Sequence, residues 1–362
     1  MAKLITDSPE ESKAINIKIV GIGNAGSNII SRISEDVKGI TSIIFNTDAN
    51  ALTYSKADIK IRIGEKITKG SGTGRDPEKG KFAANEDKEK IKEVLDNSDF
   101  VFLVAGLGGG TGTGSSPVIA KIAKDLGAIV IAFVTTPFAF EGDKKIKYSK
   151  KGLEILENNV DTLIHLSNKR LYDHVAEDVG ITDAFGKIDE IISRTIESLS
   201  NLIYKPKIFD IDFADICSIV SKAGKGIVGL GSGKGENRVE DAANNAIDNP
   251  LVEKNNIMEA KNILISLTGS KDLTLREVGN AMNLIERKIA SPSKVIGVAI
   301  DENLENEIRM TILATGIGDK SIEIEEEVSK PVGTTIVNEI PFIPTEIDIN
   351  KPAILRGKEF KK

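Results

Sequence analysis

A glycine- and threonine-rich cluster, Gly108–Gly114 (GGGTGTG), carries the clearest chemical signal in the chain. It follows the apolar run Phe100–Ala105 and precedes a helical segment, Pro117–Leu126, whose proline suits a first turn. Successive glycines let backbone N–H groups turn inward around an anion, threonine hydroxyls add donors, and a helix N-terminus adds partial positive charge. The cluster therefore predicts a phosphate-binding loop. Its residues are Gly108, Gly109, Gly110, Thr111, Gly112, Thr113 and Gly114.

A second glycine motif, Gly21–Gly26 (GIGNAG), fits the pattern GxGxxG between a predicted strand and a helix predicted from about Ser27. Asp48 ends the next predicted strand, where the acid of a dinucleotide site binds the ribose hydroxyls. On these residues alone, a mononucleotide site, a dinucleotide site and a tight turn all stay open. No Gly-Lys pair is followed by Ser or Thr, so the sequence contains no Walker A loop.

A third glycine cluster, Gly70–Pro77 (GSGTGRDP), has a composition that could close over the end of a phosphate chain. Arg75 within it could contact a terminal phosphate or could be a solvated surface arginine. Both interpretations stay open.

Three carboxylates, Asp210, Asp212 and Asp215, surround Phe213. They could form a solvated turn, a metal site or a group that polarises a water molecule. The residues alone do not choose among these, and we assign no metal ligand from the sequence.

The composition of the 362-residue chain limits the classes of function. A net charge of −6 provides no global attraction for nucleic acid or an anionic membrane. One cysteine and two histidines argue against a disulfide, a His-based metal site and a Ser-His-Asp triad. No apolar run approaches the roughly 20 residues that span a bilayer, and the N-terminus lacks a signal-peptide core. We expect a cytoplasmic protein with no direct membrane insertion and no nucleic-acid partner.

Strand and helix patterns alternate through the first half of the chain, which predicts a parallel, doubly wound α/β sheet. The predicted strands are Asn16–Val20, Ser42–Phe45, Phe100–Ala105 and Ile129–Val134. A long helix follows over Thr182–Tyr204, with Asp183 as N-cap and Pro206 closing it. Its length would be about 33 Å. A second αβ unit has strand candidates Ile263–Thr268, Val295–Ile300 and Met310–Ala314.

These patterns divide the chain into six segments. They are a disordered arm (1–14), a nucleotide-binding domain (15–181), a central helix (182–206), a smaller αβ domain (207–318), a flexible linker (319–347) and a C-terminal peptide (348–362). The last segment combines apolar residues with basic charge, which favours docking on a partner over a solubilising end.

Several motifs occur in the order seen in the FtsZ family, the prokaryotic relatives of tubulin, which the chain resembles from about residue 15 to residue 318. They are GGGTGTG, Asn46–Ala49 (NTDA), Thr135–Gly142 (TTPFAFEG), Asp183–Gly186 (DAFG) and Asp212–Asp215 (DFAD). GGGTGTG is shared with tubulins generally, whereas DFAD together with PFxFEG is specific to FtsZ. Asp348–Arg356 (DINKPAILR) resembles the docking peptide of the family, with two extra residues before the proline.

The resemblance implies a GTP/GDP site and a tubulin/FtsZ-like fold. It places the phosphates against the GGGTGTG loop and Gly21, Gly23, Asn24 and Gly26. It places the γ-phosphate beside Thr73, Gly74 and Arg75. It assigns Phe185 to stack on guanine and Asp189 to accept from its N1–H and amino group. Around the ribose and the rest of the nucleotide it places Asn46, Asp48, Thr135, Glu141, Lys145 and Asn168.

The resemblance also implies that the catalytic carboxylates Asp212 and Asp215, with Asp210 beside them, act in the site of a neighbouring subunit. The base site lies at one end of the predicted long helix and these carboxylates lie past its other end. A stiff rod of about 33 Å keeps them apart within one subunit, so a head-to-tail second copy must complete the site.

Three positions depart from the family pattern. Asp210 replaces a usual Asn, Lys145 replaces a usual Arg, and Arg75 replaces a small residue. Lys145 keeps the charge but loses the bidentate fork, whereas Asp210 adds negative charge beside a triphosphate.

The leading hypothesis is a polymerising GTPase of the cell-division ring that is active on assembly, uses Mg²⁺ held mainly through the phosphates, and docks to a membrane-anchoring division adaptor at the division site. One alternative is a GTP-binding filament former with very slow hydrolysis, which Asp210 motivates. A remote alternative is a dinucleotide-dependent oxidoreductase, which would leave the GGGTGTG loop unused.

Overall fold

A computed structural model describes residues 15–33, 39–174, 178–204, 211–248, 257, 259–289 and 293–317. Its strands are β1 (Ile17–Ile22), β2 (Thr41–Asn46), β3 (Ile59–Arg62), β4 (Phe100–Gly106), β5 (Ile129–Thr136), β6 (Thr162–Ser167), β7 (Gly224–Lys234), β8 (Asn262–Gly269), β9 (Ser293–Ile300) and β10 (Glu307–Thr315). Its helices are α1 (Gly23–Ile33), α2 (Ala49–Tyr54), α3 (Glu65–Thr68), α4 (Pro77–Glu86), α5 (Lys88–Leu95), α6 (Thr111–Asp125), α7 (Asp143–Glu157), α8 (Asn168–His174), α9 (Ile181–Tyr204), α10 (Phe213–Val220), α11 (Arg238–Ile247) and α12 (Leu275–Lys288). The predicted arm, linker and C-terminal peptide lie outside these residues, as do Asp210 and Pro206.

The strands form one ten-stranded sheet with the order β3-β2-β1-β4-β5-β6-β7-β10-β8-β9. From β3 to β7 every neighbouring pair is parallel, which confirms the predicted doubly wound arrangement. Beyond β7 the sheet is mixed, because β10 runs antiparallel to both β7 and β8 while β9 is parallel to β8. The short pairing of β6 with β7 makes the sheet continuous between the two predicted domains. Their boundaries stay a prediction.

The central strands are covered on both faces, as their sequences predict. In β4 (FVFLVAG) every residue but the terminal glycine is buried. Phe100, Phe102 and Phe133 of β4 and β5 pack ring against ring in the core, with centroids 5.1 and 6.3 Å apart. A second apolar cluster lies in the C-terminal half, between α11, α12 and strands β8 to β10. The first core, which contains residues of all three strands, holds β1, β4 and β5 in fixed relation.

Helix α9 has 24 residues and is therefore about 36 Å long. Seven apolar residues recur along α9 at helical spacing, which is the pattern that predicts this helix from the sequence. Ile203 is half-buried, and the other six are buried: Ile188, Ile191, Ile192, Ile196, Leu199 and Leu202. The prediction of Asp183 as the N-cap was wrong. The helix begins two residues earlier, and Asp183 lies in its first turn, where a negative charge still favours the helix dipole.

Strand β7 was not predicted because its sequence, GKGIVGLGSGK, has the glycine content of a loop. The structure gives the reason for that composition. Cβ atoms added at Gly229, Gly231 and Gly233 would lie about 2 Å from backbone carbonyl oxygens of α11. Glycine at alternate positions therefore lets α11 pack directly on the strand, a tertiary requirement that the local pattern does not reveal.

Helix α6 begins at Thr111, so the prediction of Pro117 in its first turn was wrong. Pro117 lies inside the helix. The first turns consist of Gly, Thr and Ser, which have weak helix propensity and no apolar periodicity. Packing holds them instead, because a Cβ at Gly114 would lie 1.9 Å from the carbonyl oxygen of Pro77 in α4.

Candidate nucleotide-binding site

The two glycine loops meet at the carboxyl ends of adjacent strands. Strands β1 and β4 pair in parallel, with Ile22 opposite Ala105. Gly23 has a φ of +68°, and a Cβ there would lie 2.9 Å from the amide nitrogen of Gly112. Only a glycine fits both the left-handed backbone and this approach. The loops that the sequence predicts to share one ligand are therefore in contact.

The N-terminus of α6 presents uncapped backbone amides. Gly110 is the N-cap residue and provides no side-chain acceptor for the first turn. A Cβ at Gly109 would meet no atom within 4 Å, so the space beside this loop is open. Free amides and the positive end of a helix dipole suit a phosphate group.

The threonine hydroxyls of the loop have partners inside the protein. Thr111 Oγ1 lies 2.7 Å from Thr47 Oγ1 at the end of β2. Thr113 Oγ1 accepts a hydrogen bond of 2.8 Å from the amide of Gly108. The sequence predicted both hydroxyls as phosphate donors; the structure uses them to fix the shape of the loop and its position beside β2.

The third glycine cluster lies against the phosphate loop. A Cβ at Gly110 would lie 2.0 Å from Thr73 Oγ1 and 2.8 Å from the amide nitrogen of Asp76. Asp76 caps α4, and Ser115 Oγ donates 2.8 Å to the carbonyl of Gly80 in the same helix. Thr73 therefore packs directly on the start of the phosphate loop, and Gly74 and Arg75 follow it in the same turn. Contact of these three residues with a γ-phosphate stays a prediction.

Asn46 ends β2, on the opposite side of β1 from β4, and Asp48 follows two residues later. Asn46 Nδ2 donates to Asn24 Oδ1 at 2.9 Å, which joins the end of β2 to the first glycine turn. Asp48 Oδ1 accepts from two amides at the start of α2. The carboxylate that a dinucleotide site would direct to a ribose is therefore engaged as a helix cap.

Asp189 is buried on α9 and paired with Arg32 of α1. Arg32 Nη2 donates to Asp189 Oδ1 at 3.0 Å, and Arg32 Nε donates to Oδ2. The pair holds the carboxylate that the sequence predicts to accept from guanine. The sequence did not identify Arg32, although Asn24, Asn28 and Arg32 recur every four residues and form a polar stripe on α1.

Phe185 belongs to an aromatic cluster. The rings of Phe138 and Phe140 stack with centroids 4.9 Å apart and an interplanar angle of 11°. Phe185 meets Phe138 edge to face at 5.8 Å. Phe140 is 73% exposed, so the cluster offers a ring face to a planar ligand or another protein surface. The sequence named only Phe185, although both other rings lie in the TTPFAFEG motif.

The remaining predicted nucleotide contacts lie at the end of β5 and on the elements that follow β5 and β6. They are Thr135, Glu141, Lys145 and Asn168. Glu141 accepts from the amide of Phe138 at 3.0 Å and pairs with Lys145 Nζ at 2.6 Å. Thr135, near the end of β5, is buried, and its carbonyl accepts from Leu107 at 2.9 Å.

Asn168 at the start of α8 provides a test of whether a ligand fits. Its side chain is buried, and Oδ1 has no hydrogen-bond partner in the described part of the chain. A buried amide oxygen without a donor is rare in folded proteins. A ribose hydroxyl or an N–H of the base would supply the missing donor.

Asp212 and Asp215 of the acidic loop form a capping box at the start of α10. Asp212 Oδ1 accepts from the amide of Asp215 at 2.7 Å, and Asp215 Oδ2 accepts from the amide of Asp212 at 3.1 Å. Both residues are exposed, and neither forms an ion pair with any residue that the structure describes. The predicted third member, Asp210, lies outside the described residues. Within those residues, no three His, Cys, Asp or Glu side chains come together as a metal site.

Comparison with known proteins gives consistent matches. The sequence profile of the Tubulin/FtsZ family, GTPase domain, matches residues 16–176, and that of the FtsZ family, C-terminal domain, matches residues 224–318. The chain is 36% identical over 349 residues to the cell division protein FtsZ of Azotobacter vinelandii, covering 95% of this chain and 87% of the relative. It is 38% identical over 304 residues to FtsZ of Pseudomonas aeruginosa, covering 83% and 77%. Among solved structures, an empty FtsZ dimer of M. jannaschii is similar, with a TM-score of 0.77, 38% identity and coverage of 84% and 89%.

Proposed function

The chain belongs to the FtsZ family of GTP-binding, filament-forming cell-division GTPases, and from this premise we propose that each of its active sites is shared between two subunits. The nucleotide lies on one subunit, at the glycine loops and the start of α9. The carboxylates that act on it come from the next subunit in a head-to-tail filament.

On the nucleotide side, the α6 amides and the two glycine turns hold the phosphates. Phe185 supports the guanine ring, and Asp189 accepts from its N1–H and amino group. Asn168 Oδ1 takes a donor from the ribose or the base, which would satisfy its unpaired buried oxygen. Mg²⁺ fits best on the phosphate oxygens, since the described residues provide no ligand cluster of their own.

The length of α9 is the main support for a site shared between two subunits. Phe185 and Asp189 lie within its first nine residues, and the helix continues for about 23 Å beyond Asp189 before Asp212 and Asp215 follow in the chain. One subunit therefore holds the two halves of the chemistry at opposite ends of a rigid helix. A second subunit stacked end to end brings an acidic loop to the γ-phosphate.

At the shared site, Asp212 and Asp215 orient the attacking water and accept its proton. Their mutual capping holds both carboxyl groups in position before a neighbour arrives. Their lack of a described counter-charge leaves their negative charge available to the second subunit. Hydrolysis then removes the γ-phosphate from the interface and weakens the contact on which it depends.

A complementation experiment tests this arrangement. Asp215→Ala removes the acidic contribution but leaves the nucleotide site, whereas Gly109→Glu places a carboxylate in the open space beside the phosphate loop. Each variant alone should be nearly inactive. Mixed subunits should regain GTP turnover, because an Asp215→Ala nucleotide site can meet the intact acidic loop of a Gly109→Glu subunit.

Gly109→Gln, of the same size but neutral, is the matched control and should bind GTP better than Gly109→Glu. Co-sedimentation must show that the two variants assemble together. If they do so without any recovery of turnover at any ratio, the shared site is wrong.

The C-terminal peptide is a separate proposal. We propose that residues 348–362 bind a membrane-anchored division adaptor and so place the protein at the division site. Within the described residues, no helix combines the length and apolarity needed to cross a bilayer. Deleting residues 348–362 should preserve turnover and filaments but abolish recruitment to adaptor-coated vesicles. Loss of assembly would instead assign the peptide to the filament contact.

A further inference from the structure

Helix α7 carries a concentration of positive charge that is unlike the rest of the chain. Five of the eight residues from 144 to 151 are lysines, in a protein whose net charge is −6. Lys144, Lys147 and Lys151 are exposed and form no ion pair with any residue that the structure describes. These three residues are called the lysine face of α7 below.

The lysine face points away from the sheet. The opposite side of α7 is buried through Ser149, Gly152, Leu153 and Leu156, and a Cβ at Gly152 would lie 2.7 Å from Thr113 Cγ2 of α6. Because α7 connects the parallel neighbours β5 and β6, it runs antiparallel to both strands. Its outward face is therefore directed sideways, and not toward either end of the strands, where a head-to-tail neighbour would dock.

The three lysines occupy positions where they destabilise the helix. Lys144 lies in the first turn, where positive charge opposes the helix dipole, and the last turn contains no basic residue. Lys147 lies three residues after Lys144 and four before Lys151, spacings at which like charges on one helix face repel. Within the described residues, the one contact printed by this group is Lys144 Nζ over the ring of Tyr148, at 5.6 Å. The benefit of these charges therefore lies outside the subunit.

The residues beside the lysines indicate which kind of anionic partner fits. Lys144, Tyr148, Lys151 and Ile155 recur at helical spacing, and Ile155 is 44% exposed. Protein interfaces are depleted in lysine and favour arginine. Lysines combined with aromatic and aliphatic side chains on an exposed helix are instead typical of helices that lie on an anionic bilayer surface.

We propose that the lysine face of α7 binds directly to the anionic headgroups of a lipid bilayer. Each lysine near such a surface contributes roughly fivefold in affinity, so a single subunit binds weakly. A head-to-tail filament repeats the face once per subunit, and many linked weak contacts give strong attachment. Filaments therefore bind the bilayer where free subunits do not. This inference rests on the proposed function, because the repetition requires a filament.

Flotation with lipid vesicles tests the proposal, with the full chain and no adaptor present. Filaments assembled with the slowly hydrolysed analogue GMPPNP are mixed with vesicles of phosphatidylcholine alone, or of phosphatidylcholine and phosphatidylglycerol in equal parts. Wild-type filaments should float only with the anionic vesicles, and added salt should release them because it screens exposed charges. Lys144→Gln, Lys147→Gln and Lys151→Gln combined should lower the apparent affinity by about 100-fold or more.

A second triple variant is the matched control. Lys66→Gln, Lys88→Gln and Lys121→Gln combined remove the same charge from exposed positions on α3, α5 and α6. This control should form filaments and bind anionic vesicles with an affinity within about threefold of the wild type.

Thermal unfolding separates a binding role of the lysine face from a structural one. The lysine-face variant should melt no lower than the wild type, because glutamine relieves the repulsion between the lysines and their conflict with the helix dipole. A melting temperature several degrees lower would give these lysines a role in the fold and would overturn the proposal.

Equal flotation of wild-type and lysine-face variant filaments with the anionic vesicles would also overturn the proposal. So would a variant that loses lateral association of filaments, measured by light scattering, with no change in flotation, because the partner would then be an acidic surface of a second copy. If the wild-type chain formed no filaments with GMPPNP, the proposed function would be contradicted instead. The affinities of unassembled wild type and variant for the same vesicles would still test the lysine face.

Discussion

The two halves of the molecule differ in whether their charged side chains are paired within the chain. In the C-terminal half, Arg238 at the start of α11 is buried and fully paired. It donates to both carboxylate oxygens of Glu277 at 2.6 and 3.1 Å, to Asp272 at 2.8 Å, and to Ser270 and Asn306. This cluster joins the ends of β8, α11 and α12 and the turn before β10.

At the proposed subunit contact, charged residues remain without such partners. Asp212 and Asp215 accept only from each other's amides, and Arg75 forms no described ion pair. Charges that stabilise the fold are thus satisfied inside the chain. Those assigned to the nucleotide or the next subunit are held in place by the backbone, with their charge free for an external partner.

Asp212→Asn separates the structural role of the acidic loop from its chemical role. Asparagine caps a helix as well as aspartate, so the change keeps α10 and removes one charge. We expect the free energy of unfolding to stay within about 0.5 kcal/mol of the wild type. GTP turnover above the assembly concentration should fall by about 10²–10⁴-fold, the usual contribution of a general base. Full turnover would make Asp212 a structural cap only.

In the C-terminal half, Arg238→Met should lower the stability of the fold without affecting the nucleotide site. Removing the buried cation leaves Glu277 and Asp272 without their cationic partner, and we expect a loss of about 3–5 kcal/mol in the free energy of unfolding, measured in urea. Nucleotide affinity of the folded fraction should not change. Arg276→Met, at an exposed arginine on α12, is the control. A loss below about 1 kcal/mol would mean that the cluster is not a structural centre.

Asp189 lies between these extremes, because it is paired internally with Arg32 and also assigned to guanine. We expect the wild type to prefer GTP to ATP, since adenine offers a carboxylate no N1–H and no 2-amino group. Asp189→Ala should reduce that preference by about 1–3 kcal/mol in competition binding. Glu190→Ala, at the exposed neighbouring carboxylate, should not. Equal wild-type affinities for ATP and GTP would contradict the assignment.

The smallest expected effect is on stability in acid. Hydrogen bonds from Arg238 lower the pKa of Glu277 to about 2, from an ordinary value of 4.5. Its contribution is therefore complete above pH 4.5 and is lost as the pH falls toward 2. In the nucleotide half, burial lowers the pKa of His165 to about 4, from 6.5. The unfolded chain then binds the extra proton, so stability falls between pH 6.5 and 4.

Single variants distinguish the pH range in which Glu277 affects stability from the range in which His165 does. Glu277→Gln should reduce the slope of unfolding free energy against pH by up to about 1.4 kcal/mol per pH unit below pH 4.5 only. His165→Gln should do so between pH 6.5 and 4 only. Unchanged slopes in both variants would mean that neither group controls acid unfolding.

The sequence predicts best what depends on local pattern. Strands β1, β2, β4, β5 and α9 were located to within a few residues, because their apolar runs and periodicity are strong. It predicts poorly what depends on tertiary contact. The glycines of β7 and the first turns of α6 are explained only by the helices packed on them. The same holds for the site. The motifs identify Asp189 and Phe185, but their partners Arg32 and Phe138 come from distant segments of the chain and are revealed only by the fold.

Sharing of each active site between two subunits is tested by measuring GTP turnover per subunit against protein concentration. Turnover should be near zero in dilute solution and should rise steeply at the concentration where filaments first sediment. A turnover per subunit that stays constant down to the lowest concentration would contradict the shared site, because a single chain would then complete its own site.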